Sequence, residues 1–193
     1  RGLPRVAPGQ DMANRNPNTS WNGTARSLHW LMALLIGLQA AAGWVGHEME
    51  RSPLKVDVLT AHKSLGVTLL MLVVVRLLWR WTHPPPPPPP GSARWQVWAA
   101  RLTHTALYLL MIALPLSGWL VASTSIVPWK LWWLIPWPDI AAADKALHEM
   151  AGEIHEALVG WLAALLAVHV GAALWHHFAR RDAVLTRMLR GQP

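Results

Sequence analysis

The sequence of 193 residues contains no cysteine. This absence excludes disulfide bonds, iron–sulfur ligation and any cofactor attached through a Cys-x-x-Cys-His motif. Charged residues are also scarce, at 14% of the chain. The formal net charge of +7 would suit a nucleic-acid-binding protein, but the basic residues cluster at the ends of long apolar runs, where membrane topology explains them. We therefore expect no nucleic-acid partner.

Long apolar runs dominate the rest of the chain. Hydrophobic residues make up 53% of the sequence, which includes 14 tryptophans, and the mean hydropathy is +0.24. A helix of about 20 apolar residues crosses a hydrocarbon core of about 30 Å, and its backbone groups must be hydrogen-bonded within the segment. The sequence therefore predicts an all-α membrane protein, a bundle of four transmembrane helices. The predicted spans are about 26–46, 58–81, 102–123 and 155–177.

Polar or proline-rich segments flank these spans. Residues 1–25 predict a mobile tail, residues 26–181 the four-helix domain, and residues 182–193 a basic C-terminal tail. The run Pro84–Pro90 has no amide hydrogen to donate, so it predicts an extended linker between the second and third spans. A docking motif for a proline-binding domain is the less favoured alternative. The tryptophan-rich segment 124–147 predicts a loop at the membrane–water interface.

The lysines and arginines predict the orientation. Of the 17 in the chain, twelve lie in the N-terminal tail, the proline-containing loop and the C-terminal tail or at the adjoining span ends. The five on the other side are Arg51, Lys55, Lys63, Lys130 and Lys145. Cytoplasmic segments are enriched in these residues, so both termini are predicted to be cytoplasmic. We call the end of the bundle at which both termini lie, predicted to be cytoplasmic, the inner level, and the opposite end the outer level.

The fourth span carries two histidines at membrane depth. The stretch from Ala157 to Trp175 contains no charged residue, yet His155 precedes it and His169 lies within it. Fourteen residues are close to four helical turns, so the two imidazoles lie on nearly the same face, about 21 Å apart along the axis. Ionisable groups at this depth are costly and usually functional. The pair therefore predicts two ligand positions near opposite leaflets.

Histidines in the first two spans match these positions in depth. His29 begins the first span at the inner level, with His169, and His62 begins the second span at the outer level, with His155. Facing histidines in a four-helix bundle commonly hold a haem. Two axial imidazoles leave the iron no open position, which favours electron transfer over catalysis on a bound substrate. The sequence therefore predicts haem ligands and no catalytic residue.

Some residues near these positions allow alternative roles. His104 faces the inner level and is an alternative ligand in place of His29 or His169, although a hydrogen bond to a propionate or quinone is preferred. Lys63 either pairs with an outer propionate or extends to the lipid headgroups. His148, Glu149 and His155 form an alternative metal site, disfavoured because a third strong ligand is lacking.

Motifs in all four spans resemble the bacterial cytochrome b561 family over about residues 26–189. The matching segments are SLHW, AHKSLG, RLLWR, YLLMIALPLSG, IHEALVG and VHVGAALWHHF. The resemblance is greatest to four-helix, dihaem, quinone-linked members, among them those that pass electrons from superoxide to ubiquinone. It implies that His29 and His169 hold an inner haem, and His62 and His155 an outer one. The proline run and the tryptophan-rich loop depart from the family pattern, and that loop is where substrate choice would be made.

The residues and the resemblance together predict a dihaem b-type cytochrome of the bacterial inner membrane. It would carry two haem b groups and transfer electrons between an outer-side donor, with superoxide as a candidate, and ubiquinone at the inner level. The predicted propionate or quinone contacts are Lys63, His104, Arg26 and Arg76. The expected partners are the lipid bilayer, the quinone and a small-molecule donor. Two alternatives remain: a haem-bearing anchor subunit that takes electrons from a hydrogenase- or dehydrogenase-like protein, and a scaffold with structural histidines.

Overall fold

The computed structural model describes residues 20–190, which form four long helices with short additional elements. The long helices are α1 (Gly23–Glu48), α2 (Pro53–Thr82), α3 (Arg94–Ser123) and α4 (Lys145–Trp175). The short elements are strands β1 (Lys130–Leu131) and β2 (Ile135–Pro136), a π-helical turn (His176–Arg180) that continues α4, and helix α5 (Val184–Leu189). In the bundle α1 packs on α2, α2 on α3, and α3 on α4.

Each long helix can cross a membrane. α1, α2, α3 and the continuous segment Lys145–Arg180 are all long and apolar enough to do so. Large apolar side chains along them are exposed, as lipid-facing residues are expected to be. The predicted four-helix, all-α membrane protein is therefore confirmed. α1, α2 and α3 each contain one predicted span, and the fourth predicted span lies within α4 and the π-helical turn that continues it.

Three polar residues fix where these helices begin. The side chains of Asn22, Ser52 and Asp144 accept hydrogen bonds from backbone amides three residues further on, at 2.8, 3.2 and 2.8 Å. Such N-caps satisfy amides that have no partner within the helix. α1 therefore begins at Gly23, inside the segment predicted as a tail. The rest of that predicted tail, residues 1–19, lies outside the described residues, as do residues 191–193.

The C-terminal segment, predicted as a basic tail, instead folds back onto the bundle. The chain turns at Arg181, whose φ is 55°, and α5 follows. The Trp30 indole donates to the Met188 carbonyl at 3.1 Å, and the Arg187 guanidinium donates to the Pro87 carbonyl at 3.0 Å. Burial alone raises the pKa of Asp182, but the hydrogen bond from His176 and the nearby Arg180 hold that pKa below its usual value. These contacts connect α5, α1 and the proline segment.

The tryptophan-rich loop forms a small hairpin over the outer end of the bundle. β1 and β2 are antiparallel, and the turn between them places Trp132 and Trp133 at φ values of 49° and 60°. The Trp132 backbone amide donates to the Ser64 hydroxyl at 2.8 Å, which holds the turn against α2. Trp129 is buried against Val67 of α2. The hairpin therefore covers the outer level on the α2 side.

Candidate functional site

The outer level brings His62 of α2 and His155 of α4 together. Their ring centroids are 6.3 Å apart, and the ring planes are inclined by 86°. Both side chains line a cavity of about 190 Å³ whose other walls are almost entirely apolar. Lys63 also lines this cavity, with its ammonium 5.7 Å from the centroid of the Trp129 ring. The predicted outer residues therefore share one site.

Hydrogen bonds orient both outer imidazoles. The Nδ1–H of His62 donates to the backbone carbonyl of Gln39 at 3.0 Å. Nδ1 of His155 lies 2.9 Å from the Ser117 hydroxyl, which itself donates to the Leu114 carbonyl at 2.9 Å, so the imidazole is the donor to Ser117. With Nδ1 protonated on each ring, Nε2 keeps its lone pair. This is the pattern that orients a metal-binding histidine.

Two glycines give these imidazoles the space they occupy. A Cβ at Gly43 of α1 would lie 2.7 Å from Cε1 of His62, and one at Gly118 of α3 would lie 3.1 Å from Cε1 of His155. Gly66, one helical turn after His62 on α2, faces the side chain of Gln39, whose Nε2 would lie 3.1 Å from an added Cβ. The space around each imidazole therefore comes from a neighbouring helix.

Gln39 places a polar side chain beside His62 in this cavity. Its side-chain Nε2 lies 3.4 Å from Nε2 of His62, and its Oε1 is buried without a hydrogen-bond partner among residues 20–190. A buried polar atom without a partner is unusual in a folded protein. With Nδ1 of His62 protonated, the Gln39 amide donates a long hydrogen bond to Nε2 of that ring, so iron binding at this nitrogen requires the Gln39 side chain to move.

Three histidines meet at the inner level. The centroids of His29 (α1) and His169 (α4) are 6.2 Å apart at an interplanar angle of 68°. His104 (α3) lies closer to His169, at 5.3 Å and 69°. Among residues 20–190 no group of three or more histidine, aspartate and glutamate side chains has an arrangement that holds a bare metal ion. The inner histidines are therefore compared in pairs.

These separations test whether a haem iron fits between the rings. A metal–imidazole bond is about 2 Å long, and the ring centroid lies about 1.1 Å beyond the bonded nitrogen. The centroids of two imidazoles on opposite sides of one iron are therefore about 6.2 Å apart. The pairs His62–His155 and His29–His169 meet this requirement, at 6.3 and 6.2 Å. The pair His104–His169, at 5.3 Å, is too close. The centroid separations of His62–His155 and His29–His169 are therefore those that one iron at each level would need, whereas that of His104–His169 is shorter.

Nδ1 of His29 has a different kind of neighbour from Nδ1 of the two outer histidines. Nδ1 of His29 lies 3.2 Å from a guanidinium nitrogen of Arg76, whose Nε donates to the Tyr108 hydroxyl at 2.9 Å. Arginine has no acceptor, so an Nδ1–H of His29 has no partner in this arrangement. Iron binding through Nε2 of a neutral His29 therefore requires the Arg76 side chain to turn away.

The other predicted residues occupy separate positions. Nε of Arg26 is buried without a hydrogen-bond partner among residues 20–190. Nδ1 of His148 lies 3.0 Å from the Val121 carbonyl, so His148 connects α4 to α3, and the alternative metal site of His148, Glu149 and His155 gains no support. His176 is bonded to Asp182.

Sequence reasoning did not identify Gln39, Gly43, Ser117 or Tyr108. Each lies on a different helix from the group it contacts, and no spacing along the chain reports such a contact. Tyr108 is the single tyrosine of the sequence, and its position one helical turn after His104 was the available signal.

A membrane-spanning four-helix bundle with facing histidine pairs near both ends defines a membrane-bound b-type cytochrome. A family model described as prokaryotic cytochrome b561 matches residues 20–191. The chain belongs to the prokaryotic cytochrome b561 family, whose members are membrane electron-transfer proteins with b-type haem.

Curated relatives agree with this assignment. Cytochrome b561 homolog 2 of Escherichia coli K12 is 32% identical over 179 residues, which cover 92% of this chain and 95% of that protein. Cytochrome b561 homolog 1 of the same organism is 31% identical over 172 residues, covering 84% and 92%. The Yersinia pestis protein named probable superoxide oxidase CybB is 29% identical over 165 residues, covering 84% and 91%. The similarity therefore extends over nearly the whole length of these proteins.

Proposed function

We propose that the protein is a dihaem cytochrome that transfers electrons between a donor at the outer level and a quinone, with ubiquinone as the exchangeable substrate. His62 and His155 would hold the outer haem b, and His29 and His169 the inner one. The observation that carries this proposal is the pair of matching centroid separations, 6.3 and 6.2 Å, at the two ends of one bundle.

Bound haem supplies reversible one-electron transfer, and the protein supplies its orientation and surroundings. Two imidazoles bound to each iron would leave no coordination position for a substrate. The Gln39 carbonyl and the Ser117 hydroxyl hold the outer rings in the tautomer with Nδ1 protonated, so that Nε2 carries the lone pair that would bind iron. Most of the wall around the space between His62 and His155 is apolar.

Charge at the two ends supports a bacterial inner-membrane location with both termini cytoplasmic. The described segments at the inner level (20–30, 76–104 and 176–190) contain nine arginines and one acid, Asp182. Those at the outer level (46–63 and 124–156) contain five lysines and arginines and eight acids. The end that is rich in arginine is the one expected to remain in the cytoplasm.

Superoxide is the proposed donor. The support is the similarity to the Yersinia pestis protein named as a probable superoxide oxidase, together with a cation at the cavity wall. The outer end as a whole carries more acids than bases, so attraction of an anion depends on individual side chains. Lys55 is bonded to backbone carbonyls, and Lys145 pairs with Glu149 at 3.8 Å. Lys63 beside His62 is therefore the cation best placed to attract an anion.

The quinone is placed at the inner level. A quinone head needs hydrogen-bond donors at an interface, while its tail remains in lipid. Arg76 and His104 lie beside the inner histidine pair, and the buried Nε of Arg26 has no partner among residues 20–190. These groups offer more donors than the apolar outer cavity does, so they are the proposed quinone or propionate contacts.

Stopped-flow absorbance of the purified protein tests this function. Mixing with superoxide should produce the reduced haem spectrum rapidly, and subsequent addition of oxidised ubiquinone analogue should reverse it. Mixing the oxidised protein with quinol instead measures the reverse reaction. Failure of superoxide to reduce the protein, together with co-purification of a stoichiometric redox protein under mild detergent, would favour the anchor-subunit alternative.

A further inference from the structure

The inner end of the bundle carries a concentration of positive charge that the haem ligands do not explain. Its nine arginines face a single acid among the described residues, Asp182, which is already bonded to His176 and lies 3.6 Å from Arg180. The remaining guanidiniums of α1, α2 and α3 have no carboxylate partner within residues 20–190. Such a cluster favours an anionic ligand.

Two of these arginines line a small pocket with the single tyrosine of the chain. The pocket, of about 20 Å³, lies between Arg76, Arg80 and Tyr108, and the indoles of Trp21 and Trp79 form its sides. The Arg80 guanidinium lies 5.7 Å from the centroid of the Tyr108 ring, and that of Arg76 lies 5.9 Å from it. None of the inner histidines, His29, His104 and His169, lines this pocket.

Donor groups in this pocket lack a hydrogen-bond acceptor among residues 20–190. The Tyr108 hydroxyl accepts from Nε of Arg76 at 2.9 Å, and its own hydrogen has no acceptor among residues 20–190. The Arg80 side chain makes no hydrogen bond with those residues. Guanidinium and hydroxyl groups so placed suit an oxyanion, which accepts several charge-assisted hydrogen bonds at once.

Size and depth select the kind of oxyanion. A space of about 20 Å³ exceeds the about 10–15 Å³ that holds one water, but it does not admit a quinone ring. Tryptophans such as Trp21 and Trp79 are typical of the membrane–water interface, where lipid phosphates lie. Basic pockets between transmembrane helices at this depth bind anionic headgroups.

We propose that Arg80 and Tyr108, with Arg76 behind them, bind the phosphate of an anionic phospholipid in the headgroup layer at this end of the bundle. The lipid would also contact the indoles of Trp21 and Trp79 through its apolar part. None of the inner histidines lines this site, but Arg76 also lies 3.2 Å from Nδ1 of His29, so the site shares Arg76 with the proposed inner haem site. The proposal does not depend on the identity of the electron donor.

Native mass spectrometry of the detergent-purified protein tests the proposal. The protein is titrated with phosphatidylglycerol and, separately, with phosphatidylcholine. The wild type should bind one phosphatidylglycerol preferentially. Because hydrogen bonds to charged groups contribute about 1.5–3 kcal/mol, Arg80→Gln should weaken that binding by about tenfold or more. Tyr108→Phe, which removes only the hydroxyl, should weaken it by a smaller factor.

Arg94→Gln is the matched control, because Arg94 is exposed at the same end of the bundle and does not line the pocket. Its phosphatidylglycerol affinity should equal that of the wild type, and elution on size exclusion should show that all variants are folded. Equal binding of the two lipids by the wild type would overturn the proposal. The proposal would also be overturned if Arg80→Gln lost haem, or had a shifted haem potential, while its lipid binding was unchanged. Arg80 would then bind a haem carboxylate instead.

Discussion

His62 and His155 face each other with ring centroids 6.3 Å apart, and the second nitrogen of each ring is held by a different helix. Gln39 of α1 holds His62, and Ser117 of α3 holds His155. All four helices therefore contribute to the outer site, whereas α4 supplies one ligand to each level. The outer site consequently depends on how the helices pack.

Of the two glycines beside the outer imidazoles, Gly43 leaves less room for a side chain. An alanine there would place its Cβ 2.7 Å from Cε1 of His62, a distance that forces the imidazole to move. We expect Gly43→Ala to lose the outer haem or change its low-spin electron paramagnetic resonance signal, and Gly118→Ala, at 3.1 Å, to have a smaller effect.

Gly160→Ala on α4 is the control for these variants, because a Cβ at Gly160 meets nothing within 4 Å. Its spectrum should match that of the wild type. An unchanged spectrum for Gly43→Ala would show that the imidazole position does not depend on this glycine.

Ser117→Ala tests the hydrogen bond that orients His155. Removing the acceptor of the Nδ1–H makes the imidazole a poorer ligand, and such changes lower metal affinity by about 10–100-fold. Competition with a haem-scavenging apoprotein should therefore remove the outer haem faster from Ser117→Ala. Thr105→Ala, an exposed position on the same helix, should release haem at the wild-type rate. Equal rates in all three proteins would contradict the assigned role of Ser117.

His104→Ala distinguishes the two candidate ligands at the inner level. His104 is too close to His169 to share an iron with it, at 5.3 Å, so this variant should retain the haem content of the wild type. His29→Ala should lose the inner haem. Visible spectra and haem content of the two variants measure this, and the reverse result would assign the ligand to His104.

Lys63→Gln tests the approach of an anionic donor. If superoxide arrives at the outer cavity, reduction of this variant should be several-fold slower than that of the wild type, and the wild-type rate should fall as salt is raised because exposed charges are screened. Lys145→Gln is the control, since Lys145 already pairs with Glu149. A salt-independent rate that is the same in both variants would exclude attraction by Lys63. Arg51→Gln and Lys130→Gln extend the series to the remaining exposed cations of the outer end.

The sequence predicted the parts of this molecule that follow from periodicity and composition. Apolar run length gave the four helices, and the spacing of His155 and His169 placed them on one face of α4. Contacts between helices could not be read in this way. Gln39 and Ser117 resemble ordinary span residues until the packing brings them to His62 and His155.

Tertiary contacts also differ from what local patterns suggest in two places. Gly66 lies one turn from His62 on the same helix, but the glycine that the imidazole contacts is Gly43 on α1. The basic C-terminal segment has the composition of a solvated tail, yet α5 forms because Trp30 and the proline segment provide hydrogen-bond partners for it. Both differences arise from tertiary contacts.

The haem content of the purified protein tests the central claim most directly. A pyridine haemochromogen assay, normalised to protein by amino-acid analysis, should give two non-covalently bound haem b groups per chain in the wild type. It should give one in His155→Ala, with the inner signal preserved, because the ligands at the two levels are about 21 Å apart along α4. A single haem in the wild type, or loss of both from a folded His155→Ala protein, would contradict the account.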